Sequence, residues 1–156
     1  MSAASSQELQ WLLTRKTSSY IVKQKGLPRF FTREPLNLKQ IHSPKHSGNV
    51  CKKAVGIAPA ANGKGVVVTT KKTKASPFSV KGSRASTTIK GTGNRRVSGA
   101  VANIVGKRGY RNDLAKLAVA RASAILLAQR GSRKAPLPKK VRGTGANKVL
   151  IEKSDE

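Results

Sequence analysis

The residue types that usually perform catalysis are few in this chain and lie far apart. Its six carboxylates stand at positions 8, 34, 113, 152, 155 and 156, and two of them form the terminal dipeptide. General acid–base chemistry needs a proton donor and a proton acceptor within reach of one substrate, and this spacing offers no such pair. The sequence therefore predicts no catalytic residue and no enzymatic activity.

Three side chains could be drawn as metal ligands, namely His42, His46 and Cys51. A structural zinc site needs four ligands, usually with closely spaced cysteine pairs, and the sequence has no fourth Cys or His. We therefore expect no metal site and no cofactor, and we interpret the two histidines as loop residues near phosphate. The single cysteine excludes an internal disulfide and is typical of a reducing compartment.

The segment Gly63-Lys64-Gly65 has only a superficial likeness to a nucleotide-binding loop. That loop needs a glycine, four further residues and then Gly-Lys-Ser/Thr between a strand and a helix. Here the lysine is followed by a glycine and then by a strand-like run. The sequence predicts a hairpin loop at this position and no nucleotide site.

The charge of the chain indicates that its partner is a polyanion. The sequence has 32 Lys and Arg against 6 Asp and Glu, which gives a formal net charge of +26. The 78 residues between Glu34 and Asp113 hold 16 of these cations and no carboxylate. Self-repulsion on this scale destabilises a free compact domain, whereas each phosphate contact releases a counterion and favours binding. RNA or DNA is therefore the expected partner.

A membrane surface is the other common polyanion, and the hydrophobic pattern argues against it. No apolar run approaches the roughly 20 residues of a membrane-spanning helix, and the most apolar stretch, 114–128, is interrupted by Lys116 and Arg121. The N-terminal residues lack the apolar region of a secretory signal. We expect no membrane association and no homo-oligomer.

The residues expected to contact nucleic acid are cations at predicted turns and helix starts, with one aromatic residue. The run Lys107-Arg108-Gly109-Tyr110-Arg111 places three cations and a tyrosine on a tight turn, and we expect it to form one patch with Arg95-Arg96. Arginine contacts phosphate through two donors, and tyrosine can stack on an unpaired base. The predicted RNA-binding residues are Arg15, Lys52, Lys53, Lys71, Lys72, Lys74, Arg95, Arg96, Lys107, Arg108, Tyr110, Arg111, Arg121, Arg130, Arg133 and Lys134.

Three of the notable side chains also have a structural interpretation. Tyr110 could equally be a core residue that caps a pair of helices. Arg121, on an otherwise apolar helix, is either an RNA contact or a surface residue whose stem lies along the helix. Trp11 is expected in the core rather than on a stacking surface.

The first half of the chain predicts one short helix and a β-hairpin. Ser5 and Glu8 have the spacing of a capping box, before a helix that would present Leu9, Leu12 and Leu13 on one side. Residues 18–23 are rich in strand formers, and 25–50 are expected to be irregular. The hairpin is predicted from 53–57 and 65–71, around the pair Asn62-Gly63. Residues 74–93 are expected to be a loop or an extended arm.

Two further helices are predicted to close the domain. The first carries apolar residues at helical spacing from Val97 to Val105 and ends at Gly106. The second runs from Asn112, as its N-cap, to Gln129. Its apolar side chains fall into two stripes, one with Leu114, Leu117, Ala118 and Ile125, the other with Ala115, Val119, Ala122 and Leu126.

Together these elements predict an α+β fold. A small antiparallel sheet with a β-hairpin would be packed by the N-terminal helix and the two C-terminal helices, with extended basic loops around it. Residues 1–130 would form one RNA-binding domain. Residues 131–156 would form a basic tail, which we expect to be disordered and to order, if at all, only on binding.

Several motifs resemble a known family and keep its order along the chain. Trp11, Arg15, Ser18-Ser19 and Lys23 are similar to the opening of the eukaryotic large-subunit ribosomal protein family twenty-eight (the L-twenty-eight-e family), as is Thr32-Arg33-Glu34-Pro35. The hairpin segment 53–68 has the closest likeness, and 110–114 and 121–126 complete the set. The resemblance covers roughly residues 9–130.

This resemblance implies a mixed α and β domain that binds large-subunit ribosomal RNA without enzymatic activity. It also implies assembly in the nucleolus, residence in cytoplasmic ribosomes and contact with neighbouring large-subunit proteins. The sequence departs from the family pattern at 24–33, at 75–93 and after 131, so RNA contacts there transfer least. A nucleolar large-subunit assembly factor opens with a related domain, but its zinc-type cysteines and long acidic extension have no counterpart in this sequence.

Two other classes of protein remain as alternatives. A chromatin protein of linker-histone type is suggested by the Lys-, Ala-, Pro- and Gly-rich tail, although the predicted hairpin argues against it. An enzyme that acts on RNA is the third, and the lack of a carboxylate cluster argues against that class.

Overall fold

A computed structural model of the protein describes residues 6–76, 78–91, 93–107 and 109–131. Within them lie three α-helices, one two-stranded and one three-stranded antiparallel sheet, which confirms the predicted α+β class. The predicted tail, with Arg133 and Lys134, lies outside the described residues, as does Arg108. The elements are α1 (Gln7–Thr14), β1 (Ile21–Val22), β2 (Phe31–Thr32), β3 (Val55–Pro59), β4 (Val66–Lys71), β5 (Arg84–Ile89), α2 (Asn94–Ala102) and α3 (Ala115–Gln129).

The predicted hairpin is present as β3 and β4. The two strands pair in antiparallel register from Val55 with Thr70 to Pro59 with Val66, and residues 60–65 form the loop. Val55, Val66 and Val68 are fully buried, because alternate side chains of paired strands point to the same face of a sheet. The hairpin thus supplies the strand half of the core.

A third strand lies where the sequence predicted a loop or an extended arm. β5 pairs antiparallel with β4, from Val66 with Ile89 to Lys71 with Arg84. The prediction was wrong because β5 is an edge strand with exposed Ser and Thr side chains, and therefore lacks the apolar alternation that marks a half-buried strand. Its β-branched residues, Thr87, Thr88 and Ile89, were the available signal.

The two C-terminal helices form as predicted and pack against one another and the hairpin. α2 continues into a π turn at Asn103–Lys107, and a 3-10 turn at Asn112–Leu114 leads into α3. Asn112 is not the N-cap, since the residue before α3 is Leu114 and no side chain caps the helix. The buried face of α3 follows the spacing i, i+4, i+8 and takes two residues from each predicted stripe, namely Leu114, Ala118, Ala122 and Leu126.

The core is built mainly from small apolar side chains. α2 packs on α3, and α3 packs chiefly on β3. Val and Ala at these contacts allow the backbones to approach closely, which suits a chain with few large apolar residues. The buried cluster consists of Leu38, Val55, Ile57, Val66, Val68, Val97, Val101, Val105, Leu114, Ala118, Ala122 and Leu126.

Helix α1 buries none of its residues, contrary to the packing expected for its leucines. Leu9, Leu12 and Leu13 are all more than half exposed. The helix begins after Ser6 rather than Ser5, and the Ser6 side chain makes no capping hydrogen bond. The expected capping box is therefore not the start of this helix.

The segment between α1 and the hairpin contains a small sheet inside the region predicted to be irregular. β1 and β2 pair over two residues each, Ile21 with Thr32 and Val22 with Phe31. The remainder is irregular, with positive φ at Leu36 (62°) and Gln40 (53°). No helix in the described ranges has both the length and the apolar character that crossing a membrane requires.

Candidate nucleic-acid interface

Nearly all cations of the described residues are exposed. The structure describes 24 Lys and Arg, and 22 of these are exposed while only Lys71 and Arg111 are partly buried. A side chain that keeps its charge in water remains able to contact a phosphate. The exposed set includes most predicted RNA-binding residues, namely Arg15, Lys52, Lys53, Lys72, Lys74, Arg95, Arg96, Lys107, Arg121 and Arg130.

Two of the three carboxylates in the described ranges are paired within the protein, although only one of these two is buried. Glu34 is 9% exposed, and its Oε1 accepts hydrogen bonds from the Ser47 hydroxyl at 2.7 Å and the Asn49 backbone N–H at 2.6 Å. Asp113 pairs with Arg111, with 2.8 Å between Oδ1 and Nε. Glu8 is exposed on α1. The described surface therefore carries very little negative charge.

Lys71 was predicted to contact RNA, and the structure gives it an internal role. Its Nζ donates to the backbone carbonyls of Gly48, Asn49 and Cys51 at 3.4, 3.0 and 3.1 Å. Burial lowers the pKa of the Lys71 ammonium because it disfavours the charged form. The side chain therefore holds the loop before β3 against the end of β4.

Arg111 has a similar structural role. Its guanidinium forms a two-pronged pair with Asp113, and also donates to the carbonyls of Lys53 at 2.7 Å and Lys45 at 3.1 Å. The hydrogen bond that Arg111 donates to Asp113 raises the pKa of Arg111, and the same bond lowers the pKa of the Asp113 carboxyl. The turn before α3 is thus fixed to the 45–53 loop.

Tyr110 and Gln129 attach the two ends of α3 to the two ends of the hairpin. The Tyr110 hydroxyl accepts from the backbone N–H groups of Ala54 and Lys71, both at 3.1 Å, and donates to the Lys71 carbonyl. The Gln129 side-chain amide bonds to both backbone groups of Gly65. Its oxygen accepts from the Gly65 N–H at 3.0 Å, and its NH₂ group donates to the Gly65 carbonyl at 2.8 Å. Burial raises the pKa of the Tyr110 phenol. These contacts favour the structural interpretation of Tyr110.

Several predicted cations surround a cleft beside α1, which we call the α1 cleft. It consists of two adjoining hollows of about 500 and 320 Å³ that share Gln7, Lys52 and Thr73. Lys72 lines the larger hollow, and Lys53 lines the smaller one. Lysines from the start of β3 and the end of β4 meet here because paired antiparallel strands begin and end at the same edge.

A second group of cations, the turn-end cluster, lies at the opposite end of the sheet. Gly65 in the hairpin loop bonds to the last residue of α3 and lies against the end of β5. The start of α2 reaches α3 through Asn94, whose Nδ2 is 3.2 Å from the Ser123 hydroxyl. The cations carried by these ends are Lys64, Lys90, Arg95, Arg96 and Arg130.

The patch expected from Arg95-Arg96 and 107–111 is divided in the structure. Arg95 and Arg96 lie in the first turn of α2, whereas Lys107 ends the π turn that follows this helix. Arg95 and Lys107 are twelve positions apart on this helical stretch, which is roughly 18 Å at the usual rise. Lys107 instead borders a shallow groove of about 670 Å³ on the helix pair.

The three side chains considered as metal ligands do not form a ligand cluster. Across the described ranges, no three His, Cys, Asp or Glu side chains come together as metal ligands could. The Cys51 thiol donates to the Pro44 carbonyl at 3.2 Å, and His42 Nε2 lies 2.8 Å from the Arg15 carbonyl. Burial and the nearby cations Lys39, Lys45 and Arg111 lower the pKa of His46, against a weaker opposite effect of Asp113.

Sequence reasoning missed several residues that the fold brings to these surfaces. Lys64 and Lys90 were not selected, although a hairpin loop next to the start of a helix could have indicated them. Trp11 was assigned to the core, but it is only half-buried and pairs with His42, with ring centroids 4.7 Å apart. No sequence signal links these two residues, since they are distant along the chain and lie outside any repeating pattern.

Comparisons with known proteins agree with one another. The model of the Ribosomal L28e protein family matches residues 9–128. The chain is 35% identical over 129 residues to the large ribosomal subunit protein eL28 of Schizosaccharomyces pombe, an alignment that covers 80% of this chain and 93% of the relative. It is 36% identical over 124 residues to the large ribosomal subunit protein eL28 of Caenorhabditis elegans, with 80% and 90% covered. The chain therefore belongs to the Ribosomal L28e protein family.

Proposed function

We propose that this protein is a structural constituent of the large ribosomal subunit and stabilises its ribosomal RNA through phosphate contacts. The observation that carries the proposal is the separation of charge: 22 exposed cations accompany three carboxylates, two of which are bound internally. A surface of this kind favours a polyanionic partner, because contacts between its cations and phosphates release counterions. The relatives named above are large ribosomal subunit proteins, so the RNA of that subunit is the expected partner.

The positions of the cations support a clamping mechanism rather than sequence readout. The α1 cleft and the turn-end cluster lie at opposite ends of β4, whose six residues span about 20 Å. Two separate segments of folded RNA would be held at these ends, mainly through phosphates, which position a protein without reading sequence. The protein acts in this role without catalysis and without a cofactor.

The wider setting follows from the same role. The protein would enter the large subunit during a nucleolar assembly stage and reside in cytoplasmic ribosomes beside other large-subunit proteins. The basic segment 131–156 would add further phosphate contacts, including those of Arg133 and Lys134.

Sedimentation of a cell lysate on a sucrose gradient tests the ribosomal role. The protein should comigrate with large subunits and polysomes, and it should shift when RNase cuts the RNA or when a magnesium chelator separates the subunits. Sedimentation with nuclease-sensitive chromatin would instead support a linker-histone type of protein and overturn the proposal.

The same gradients test the phosphate contacts. The double variant Lys52→Ala/Lys72→Ala should leave the subunit at a lower salt concentration than the unchanged protein, since each lost phosphate contact lowers the salt dependence of binding by about one counterion. Lys116→Ala is the control, because Lys116 is exposed on α3 and lines neither hollow of the α1 cleft. Equal dissociation of both variants would argue against the α1 cleft as an RNA contact.

A further inference from the structure

A pocket next to the α1 cleft has features that phosphate binding alone does not explain. It lies between α1 and the 34–50 loop and has a volume of about 410 Å³, within the usual range of small-ligand sites. The residues that line it include the aromatic residues Trp11, Tyr20 and His42 and the acidic residue Glu34. We call it the Trp11 pocket.

One wall of the pocket is aromatic and remains accessible. Trp11 is half-buried and belongs to a helix that buries none of its residues, and its ring lies against that of His42. Tyr20 is 40% exposed. Accessible aromatic rings are the platforms on which proteins stack unpaired bases, and each stacked base contributes substantially to affinity.

Glu34, which also lines the pocket, offers an ionisable hydrogen-bond acceptor. Oε1 of Glu34 is occupied by Ser47 and Asn49, which fixes the orientation of the carboxylate. Its second oxygen, Oε2, accepts no hydrogen bond from any described residue, although the side chain is nine-tenths buried. Oε2 is not among the fully buried unpartnered atoms of the described residues, so it remains accessible, and such an acceptor favours a ligand that brings an N–H donor.

The N–H donor could belong to a nucleic-acid base or to a basic peptide, and the charge of the residues around the pocket distinguishes the two. The pocket shares Gln10, Asn49 and Val50 with the larger hollow of the α1 cleft, which is lined by Lys52 and Lys72. A basic peptide would be repelled by these lysines, whereas the phosphates on either side of a base would be attracted. The charge around the pocket therefore favours nucleic acid.

We propose that the Trp11 pocket receives one unpaired base of the bound RNA, and that this base carries an exocyclic amino group. The base stacks on the aromatic wall, its amino group donates to Glu34 Oε2, and its flanking phosphates lie along Lys52 and Lys72. This inference rests on the proposed function, because it names the part of the RNA that enters one hollow of the same interface.

The fluorescence of Trp11 reports whether a base enters the pocket, because Trp11 is the sole tryptophan of the chain. The full-length protein is titrated with short single-stranded oligo(A), oligo(C) and oligo(U), at an ionic strength where it is folded. Binding is measured independently by anisotropy of labelled RNA. Oligo(A) and oligo(C) should quench Trp11 and bind about tenfold more tightly than oligo(U), because the only base donor of uracil, N3–H, stands between two carbonyl oxygens that the Glu34 carboxylate repels.

Glu34→Gln inverts the predicted preference. The glutamine oxygen can replace Oε1 toward Ser47 and Asn49, which leaves an NH₂ donor in the position of Oε2. Oligo(U), which offers carbonyl acceptors, should then bind at least as tightly as oligo(C). Glu8→Gln makes the same chemical change on the exposed side of α1 and should keep the original preference.

Each outcome has a distinct meaning. Binding of every oligonucleotide without quenching would overturn the base pocket and leave RNA binding intact. Equal quenching by all three would overturn the amino-group selection. If no RNA bound in the anisotropy measurement, the proposed function itself would fail. The titrations of the unchanged protein decide these points even if Glu34→Gln does not fold.

Discussion

Lys71 and Arg111 use their side chains to hold the fold, whereas the other Lys and Arg of the described residues are exposed. In the sequence, nothing distinguishes Lys71 and Arg111 from the exposed cations around them. In the structure, their N–H groups donate to backbone carbonyls of the 45–53 loop. Arg111 also takes Asp113 as its partner, although the two residues are only two positions apart. Loops that pack on a sheet leave carbonyls without strand partners, and nearby cations can satisfy them. Sequence patterns do not show which loops will do so.

The substitution Tyr110→Phe distinguishes the two interpretations of this tyrosine. Phenylalanine keeps a ring that could stack on a base but loses the hydroxyl that bonds to Ala54 and Lys71. Because these buried backbone groups would lose a partner, we expect the free energy of unfolding to fall by about 1–3 kcal/mol. Urea unfolding at high salt measures this effect. An unchanged midpoint together with weaker RNA binding would instead favour a functional role for Tyr110.

At the scale of elements, the spacing of apolar residues predicted the helices and strands that bury one face, and it missed the strands whose side chains are largely exposed. The hairpin, α2 and α3 have apolar patterns that the core requires, and all three formed within a few residues of the expected limits. β5 and the β1–β2 pair were missed because their side chains are largely exposed, so that backbone pairing rather than burial defines them. The Trp11 pocket was missed for a related reason, since α1 and the 34–50 loop meet without any periodic signal.

A pair of glycines in the hairpin loop provides a test at this scale. Gly63 (φ 69°) and Gly65 (φ 91°) both adopt the left-handed conformation, but a Cβ on Gly65 would collide with the Ile89 carbonyl oxygen, whereas one on Gly63 meets nothing. Gly63→Ala should lower the free energy of unfolding by about 1 kcal/mol, because alanine is strained in the left-handed conformation. Gly65→Ala should cost roughly 3 kcal/mol, since displacement of β5 is added to the strain. Equal midpoints of thermal unfolding for the two variants would contradict the close approach of β5 to this loop.

For the whole molecule, composition was the most informative property of the sequence. The excess of cations predicted a polyanionic partner, and the order of several motifs predicted the family that the comparisons then established. Composition could not predict that two groups of cations lie at opposite ends of one sheet, because this arrangement depends on strand pairing and on how α2 and α3 pack against it. The location of the interface is therefore a property of the fold.

The same charge leads to a prediction about folding without RNA. At low salt the exposed cations repel one another with little negative charge to offset them, so the RNA-free protein should fold poorly and become more stable as salt screens the repulsion. Circular dichroism during heating, at low and at high salt, measures this. A cooperative thermal transition at low salt would contradict the prediction.

The attachment of α3 to both ends of the hairpin limits how the length of this protein can change. Tyr110 and Gln129 bracket the fifteen residues of α3, and they bond to opposite ends of the hairpin that contains β4. Two residues inserted into the strand would lengthen it by about 7 Å, a distance that the helix matches only with four or five additional residues. Insertions and deletions in one element would thus be tolerated only with a compensating change in the other. The connection between β4 and β5 carries no such constraint, so differences in length among relatives should accumulate there.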